Sequence, residues 1–204
     1  MNLPRIHPRD GQAPAIGAAG AGQERAPAQP EEIYLQPGQW HFGSGHTRLR
    51  TLLGSCVAIA VWHPGMRVGG LCHFMLPTRN AYARHGHPPH GLGGHGGHLD
   101  GRYADEAMYL FLRSMHAAGA KPQEFDAKLF GGGRMFGGEG AAGDVPYRNI
   151  AAARALVRQH GLRLRAEHLG GQGHRNLLFE LWSGDAYLRF WGQGAEQNPM
   201  EIRG

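Results

Sequence analysis

At 204 residues the chain is long enough for one domain with a sizeable core and too short for two comfortable ones. It carries 21 Lys and Arg against 16 Asp and Glu, a formal charge of +5, and apart from Lys121 and Lys128 the basic residues are arginines. They are scattered and not interleaved with aromatics on one face, which argues against nucleic-acid binding. No apolar run reaches the ~18 residues of a membrane span, and no charged start leads into a compact apolar segment, so neither membrane insertion nor a secretory signal is expected. The two cysteines, Cys56 and Cys72, suit a reducing cytoplasm.

Residues 1–32 are rich in Ala, Gly, Pro and Gln and bury too little apolar surface to offset their ordering entropy, so a disordered leader is expected. One domain then spans 33–192. Ile33, Tyr34 and Leu35, then Trp40, His41 and Phe42, bring the first apolar groups as short strands around Pro37-Gly38. Residues 49–53 lead into the stretch that organises the rest, TLLGSCVAIAVWHPGMRVGGLCHFMLP at 51–77.

That stretch reads as two β-branched runs, 57–62 and 68–75, joined by a type II turn across His63-Pro64-Gly65-Met66. With Pro64-Gly65 as the loop, Cys56 stands opposite His73 on one face, with Cβ atoms ~4.5–5.5 Å apart. A one-residue slip would separate them onto opposite faces. A neighbouring imidazole accepts the thiol proton and can return it to a departing amine, which suits amide hydrolysis through a Cys nucleophile. Leu53-Gly54-Ser55 is a small, flexible approach that lets backbone N–H groups near Ser55 and Cys56 reach a substrate oxyanion. On the same register Cys72 faces Val57 on the other side of the sheet. It is read as core filler, not paired with Cys56 in a disulfide.

Residues 78–100 form a mobile insertion in which His85, His87, His90, His95 and His98 alternate with Gly and Pro. A metal site needs ligands held at fixed geometry, which this composition does not supply, so no metal and no cofactor are expected. Residues 103–118 carry Ala104, Ala107, Met108, Phe111 and Met115 on one helical stripe, with Gly119 as the stop and Asp105 in the first turn. A strand at 125–130 ends at Gly131-Gly132-Gly133. These glycines permit close backbone approach and are candidates to frame a substrate cleft, but no Lys-Ser/Thr follows to make a phosphate loop.

Asn149 caps a second helix at 150–160, with Ala151, Ala155 and Leu156 inward and Gly161 closing it. A half-exposed strand at 162–168, a glycine-rich turn at 170–176 and a hairpin of 177–182 with 186–191 complete the domain, with His168 and His174 at the surface. The tail, 193–204, is expected to fray. Strands outnumber helices, which argues α+β, with mixed or antiparallel sheets covered by helices on one side.

The runs LGSCVAIAVW, GLCHFMLP, RYADEAM, Gly119-Ala120, AKLFGGGRMF and RNIAAARALV, in this order over roughly residues 33–192, resemble the chemoreceptor glutamine deamidase family, CheD. The resemblance implies a β-sandwich-like core with flanking helices, similar to the cytotoxic necrotising toxin deamidases. It implies Cys56 as nucleophile, His73 as general base and acid, and an upstream Thr that orients the His. Thr51 is the candidate for that third role. The family pattern can also place the Thr where this chain has Arg50, and Thr47 is a weaker alternative.

The implied substrates are glutamines on the cytoplasmic helices of methyl-accepting chemotaxis receptors, with a minor methylesterase action and a CheC-type phosphatase as a further partner. Asp105, within the family's RYAD-like pattern, has a substrate-loop role open to it. Two rival readings are a cysteine protease or acyltransferase, which would cleave or transfer a peptide bond, and a non-catalytic receptor- or CheC-binding adaptor.

Overall fold

The computed structural model describes residues 29–79, 99–135, 144–192 and 199–203. The expected leader lies almost wholly outside the described residues, as does nearly all of the 78–100 stretch with its five histidines. Two five-stranded sheets dominate. The first comprises β1 (Glu31–Tyr34), β3 (Thr47–Leu53), β8 (Gly173–Glu180), β9 (Ala186–Gly192) and β10 (Met200–Ile202), in that spatial order. The second runs β2 (Trp40–Ser44), β5 (Val68–Phe74), β4 (Val57–His63), β6 (Asp126–Gly131), β7 (Arg163–Leu169). Two pairings, β1 with β3 and β6 with β7, are parallel, and the rest are antiparallel. With helices α1 (Ala104–Ala117) and α2 (Val145–Gln159), this is the mixed-sheet α+β fold expected from the sequence.

The layers follow from how β4 is written. VAIAVW is a continuous apolar run, and both its faces are covered. Val57, Ile59 and Val61 join Cys72, Phe74 and the inward stripes of both helices in one core. Ala58 and Ala60 join Leu71, Phe130 and the first sheet's Leu49, Leu53, Leu177 and Phe179 in the other. The second sheet is therefore sandwiched between the first sheet and the helices. The buried residues of α1 are the five read from its periodicity: Ala104, Ala107, Met108, Phe111 and Met115.

Three local expectations are corrected. The β4–β5 turn is a four-residue loop, 64–67, closed by the Arg67 N–H donating to the His63 carbonyl at 2.8 Å, with His63 opposite Val68. Gly65 is not left-handed; Arg67 takes that conformation, φ 50°, so the turn is not type II. Second, α2 starts at Val145 with Asp144 before it, and Asn149 is an inward residue of its second turn. The inward stripe is Asn149, Ala153 and Val157, whereas Ala151 is exposed. Pro146 at the start of that helix fits the first turn, where its missing N–H has no partner to lose. Third, the tail supplies β10, which pairs with β9 and is held by Lys128. The buried Lys128 Nζ donates to the carbonyls of Gly184, Ile202 and Arg203 at 2.8, 2.7 and 2.6 Å.

Candidate active site

Thr51 and His73 meet because the chain changes sheets between β3 and β4, and Cys56 lies on the corner where it does so. Thr51 lies in the middle of β3, on the strand face that carries Leu49 and Leu53 into the space between the sheets. His73 lies on β5 in the opposite sheet, directly across from Ala58, so its side chain enters the same space. Their side chains meet with Thr51 Oγ1 2.8 Å from His73 Nδ1. Thr51 Oγ1 also donates to the Leu35 carbonyl at 2.8 Å. A hydroxyl has one hydrogen and a carbonyl only accepts, so Oγ1 must accept from the imidazole, which puts the ring proton on Nδ1. His73 Nε2 then carries a lone pair, and it is buried without a hydrogen-bond partner among the described residues. Burial pushes the imidazole pKa down to about 4.

The backbone of His73 is fixed as well. Its N–H donates to the Gln39 carbonyl at 2.9 Å, and its carbonyl accepts from the Gly38 N–H at 2.7 Å. Of the other positions weighed upstream of the Cys, Arg50 pairs with Glu32 at 3.3 Å, and the Thr47 carbonyl accepts the Leu181 N–H at 3.0 Å on the same strand. The hydroxyl on His73 is that of Thr51.

Cys56 lies on the corner itself, residues 54–56, between the last residue of β3 and the first of β4. Three successive carbonyls of this corner are held. That of Gly54 accepts from the Gly133 N–H at 2.8 Å and that of Cys56 from the Gly132 N–H at 2.7 Å. That of Ser55 accepts from Asn149 Nδ2 at 3.3 Å. Because each peptide is planar and trans, fixing these carbonyls aims the Ser55 and Cys56 N–H groups the opposite way. The Gly132 N–H, by contrast, is already engaged. Gly131 shapes the site by what it lacks: at φ 113° a Cβ there would lie 2.2 Å from the Cys56 carbonyl oxygen.

The register differs from the one read from the sequence. His73 faces Ala58, two positions after Cys56, which itself lies one residue before the first paired residue, so the thiol is not directly opposite the ring. The longer loop moved the pairing by two residues, an even number, and so left both side chains on the same face. Cys56 packs against the inter-sheet core, while Cys72 lies fully buried in the helix-side core, its pKa pushed up to about 12 by burial. The two thiols are free. Burial also raises the pKa of the half-buried Cys56 thiol, opposed by hydrogen bonding from the Ser55 side chain and the Cys56 backbone.

Two contributors escaped sequence reading. Asn149 was legible only as a cap, since nothing local distinguishes a helix-interior Asn from one at a terminus. Arg175 is fully buried beneath the glycine loops beside the corner: Nε donates to His168 Nδ1 at 2.8 Å, and the guanidinium lies 4.6 Å over the Phe190 ring. It also bonds the Gly170 carbonyl, and Gly170 in turn donates to Gly131 at 2.9 Å. His168, expected at the surface, is thus a ligand of a buried arginine. Asp105 accepts from Thr78 Oγ1 at 2.6 Å and from the Glu106 N–H at 2.9 Å, a tie across the start of α1. Among the described residues no cluster of three or more His, Cys, Asp or Glu is placed to hold a metal ion.

The two-sheet α+β fold thus carries a thiol on a corner between the sheets and, facing the same inter-sheet space, an imidazole whose Nδ1 is held by a threonine hydroxyl. Comparison with known proteins specifies this further. The family model described as CheD chemotactic sensory transduction matches residues 88–190, a segment that begins after Cys56 and His73. The probable chemoreceptor glutamine deamidase CheD 3 of Dechloromonas aromatica is 46% identical over 180 residues, 88% of this chain and 98% of that protein. The probable chemoreceptor glutamine deamidase CheD of Pseudomonas savastanoi pv. phaseolicola is 48% identical over 173 residues, 83% and 86% of the two chains. A similarly named protein of Leptospira interrogans is 36% identical over 164 residues, 77% and 91%. The chain belongs to the CheD family.

Proposed function

We propose that this protein deamidates glutamine side chains on the cytoplasmic helices of methyl-accepting chemotaxis receptors, with Cys56 as nucleophile, His73 as general base and acid, and Thr51 holding the ring. The Thr51–His73 bond at 2.8 Å carries this reading, because with the Leu35 carbonyl it leaves the acceptor nitrogen of His73 free. The relatives' names supply the substrate class. With the thiol raised and the imidazole lowered, the resting couple is neutral. Proton transfer therefore accompanies attack: the Cys56 proton goes to His73 Nε2 as Sγ bonds the side-chain carbonyl carbon.

The tetrahedral oxyanion is met by the Ser55 and Cys56 N–H groups, which the held carbonyls pre-orient. Collapse breaks the C–N bond, and His73 returns the proton to the leaving ammonia. Water, deprotonated by the same nitrogen, opens the thioester to glutamate and free thiol. A glutamate methyl ester would pass through the same thioester with methanol leaving, so a minor methylesterase action belongs to the same proposal.

The exposed Met75 and Leu76 just beyond His73, and Met135, whose sulfur lies 2.8 Å from where a Gly54 Cβ would be, give the corner an apolar rim. Such a rim suits a protein surface better than free glutamine. In this reading the protein acts in the cytoplasm, where such receptor helices lie. Among the described residues no helix is long and apolar enough to cross a membrane. A CheC-type phosphatase is a further partner in this reading. The test is mass spectrometry of a receptor cytoplasmic fragment together with ammonia release. Amide-to-acid conversion without chain cleavage, abolished by Cys56→Ala, supports deamidation. Cleavage would favour the protease reading, and binding without turnover the adaptor.

A further inference from the structure

We propose that Asn149 is a positioning residue for the Cys56–His73 couple, clamping the nucleophile's corner to the end of β5; this rests on the reading of Cys56 and His73 given above. Asn149 is fully buried on the inward face of α2, 94 residues from the corner in sequence. Its amide nitrogen spends both hydrogens on the two catalytic segments. One goes to the carbonyl of Ser55, immediately before the nucleophile, at 3.3 Å, and the other to the carbonyl of Met75, two residues after the base, at 2.8 Å. The orientation of the amide is fixed by chemistry, because a flipped side chain would set its oxygen against two carbonyl oxygens.

No β-ladder reaches this far. The β4–β5 pairing ends at Val57 and Phe74, so Ser55 and Met75 lie just past it. Without Asn149, nothing in the β4–β5 ladder fixes the distance between the thiol-bearing corner and the strand that carries the imidazole. The side chain is also a poor choice for packing alone. Among the described residues its buried Oδ1 meets no donor, a cost that an apolar residue of similar volume would not incur. A group kept at that cost, with both donors on the two arms of one site, is placed for geometry.

The test compares wild type with Asn149→Leu, which fills similar volume and donates nothing, and Asn149→Gln, which keeps an amide donor. The readouts are kcat and KM for ammonia release from a receptor fragment, the rate of Cys56 alkylation by iodoacetamide, and Tm. Cys72 is fully buried and does not contribute to alkylation. The expected result for Asn149→Leu is a folded protein with kcat down at least about tenfold, KM within about twofold, and a changed alkylation rate, since displacing reacting groups by 1 Å can cost about a hundredfold. Asn149→Gln should recover part of the loss.

If Asn149→Leu keeps wild-type kcat and alkylation rate, the clamp is refuted while deamidation stands. The same holds if it loses activity only in proportion to the fraction unfolded at the assay temperature. If wild type releases no ammonia but the two proteins differ in alkylation rate, the clamp stands and the deamidase reading fails.

Discussion

Replacing Thr51 by Val isolates what the hydroxyl does, because the change keeps shape and volume at a fully buried position. It strips the Leu35 carbonyl of a donor and the His73 Nδ1–H of its acceptor. Each buried polar group left unpaired costs ~1–3 kcal/mol. The ring's N–H can swing toward the freed Leu35 carbonyl and recover part, so a net loss of about 2–4 kcal/mol is expected. At ~2–4 °C per kcal/mol for a domain of this size, Tm should fall by roughly 5–15 °C.

The kinetic signature is separate from the stability loss. Without Oγ1 the ring is free to tilt toward the Leu35 carbonyl, which keeps the proton on Nδ1 but moves Nε2. The expected result is kcat lower by roughly ten- to a hundredfold with KM little changed. Thr51→Ser, which keeps the hydroxyl, should stay within about threefold, roughly 0.6 kcal/mol and at the low end of the value of one neutral hydrogen bond. Urea denaturation and ammonia-release kinetics on the three proteins decide it. A Thr51→Val protein with lowered Tm but wild-type kcat would leave the hydroxyl a packing role only, and one unchanged in both would refute the geometry itself.

The low pKa of His73 has a pH consequence whose sign is fixed. The unfolded chain takes up this proton near pH 6.5 and the folded protein only near 4, so stability falls as pH drops through that window, by about 3 kcal/mol in total. Urea midpoints at pH 7, 5.5 and 4.5 should show a slope that His73→Asn reduces; parallel slopes in the two proteins would rule out the burial of a neutral ring. Cys56→Ala should lower ammonia release by at least about a thousandfold while shifting stability by less than about 1 kcal/mol, whereas Cys72→Ala should cost about 1–2 kcal/mol and keep activity. Equal activity losses for the two, measured in the same assay, would contradict the assignment of the nucleophile. Lys128→Met leaves three carbonyls unpaired and should cost about 2–4 kcal/mol, release β10 to faster hydrogen exchange, and leave kcat intact. Unaltered exchange at Met200–Ile202 would show that β10 is held by its pairing with β9 alone.

What could be read without coordinates was what depends on neighbours in sequence. The stripe of α1 is a period of side chains on one helix, and it was legible residue by residue. The shared face of Cys56 and His73 is a matter of parity along one hairpin, so it survived a turn misread by two residues. A one-residue difference in the loop would instead have put the two side chains on opposite faces.

The rest was set by contacts between segments far apart in the chain. That β3 and β4, separated by only three residues, belong to different sheets has no local signal, yet it brings Thr51 across to His73. The inward turn of Asn149 depends on α2 starting at Val145, and the tail becomes a strand only because β9 offers it an unpaired edge and Lys128 its donors. Sequence periodicity determines which side chains share a face; which faces then meet is decided by burial and hydrogen-bond satisfaction over the whole chain, and those sums exist only once it is folded.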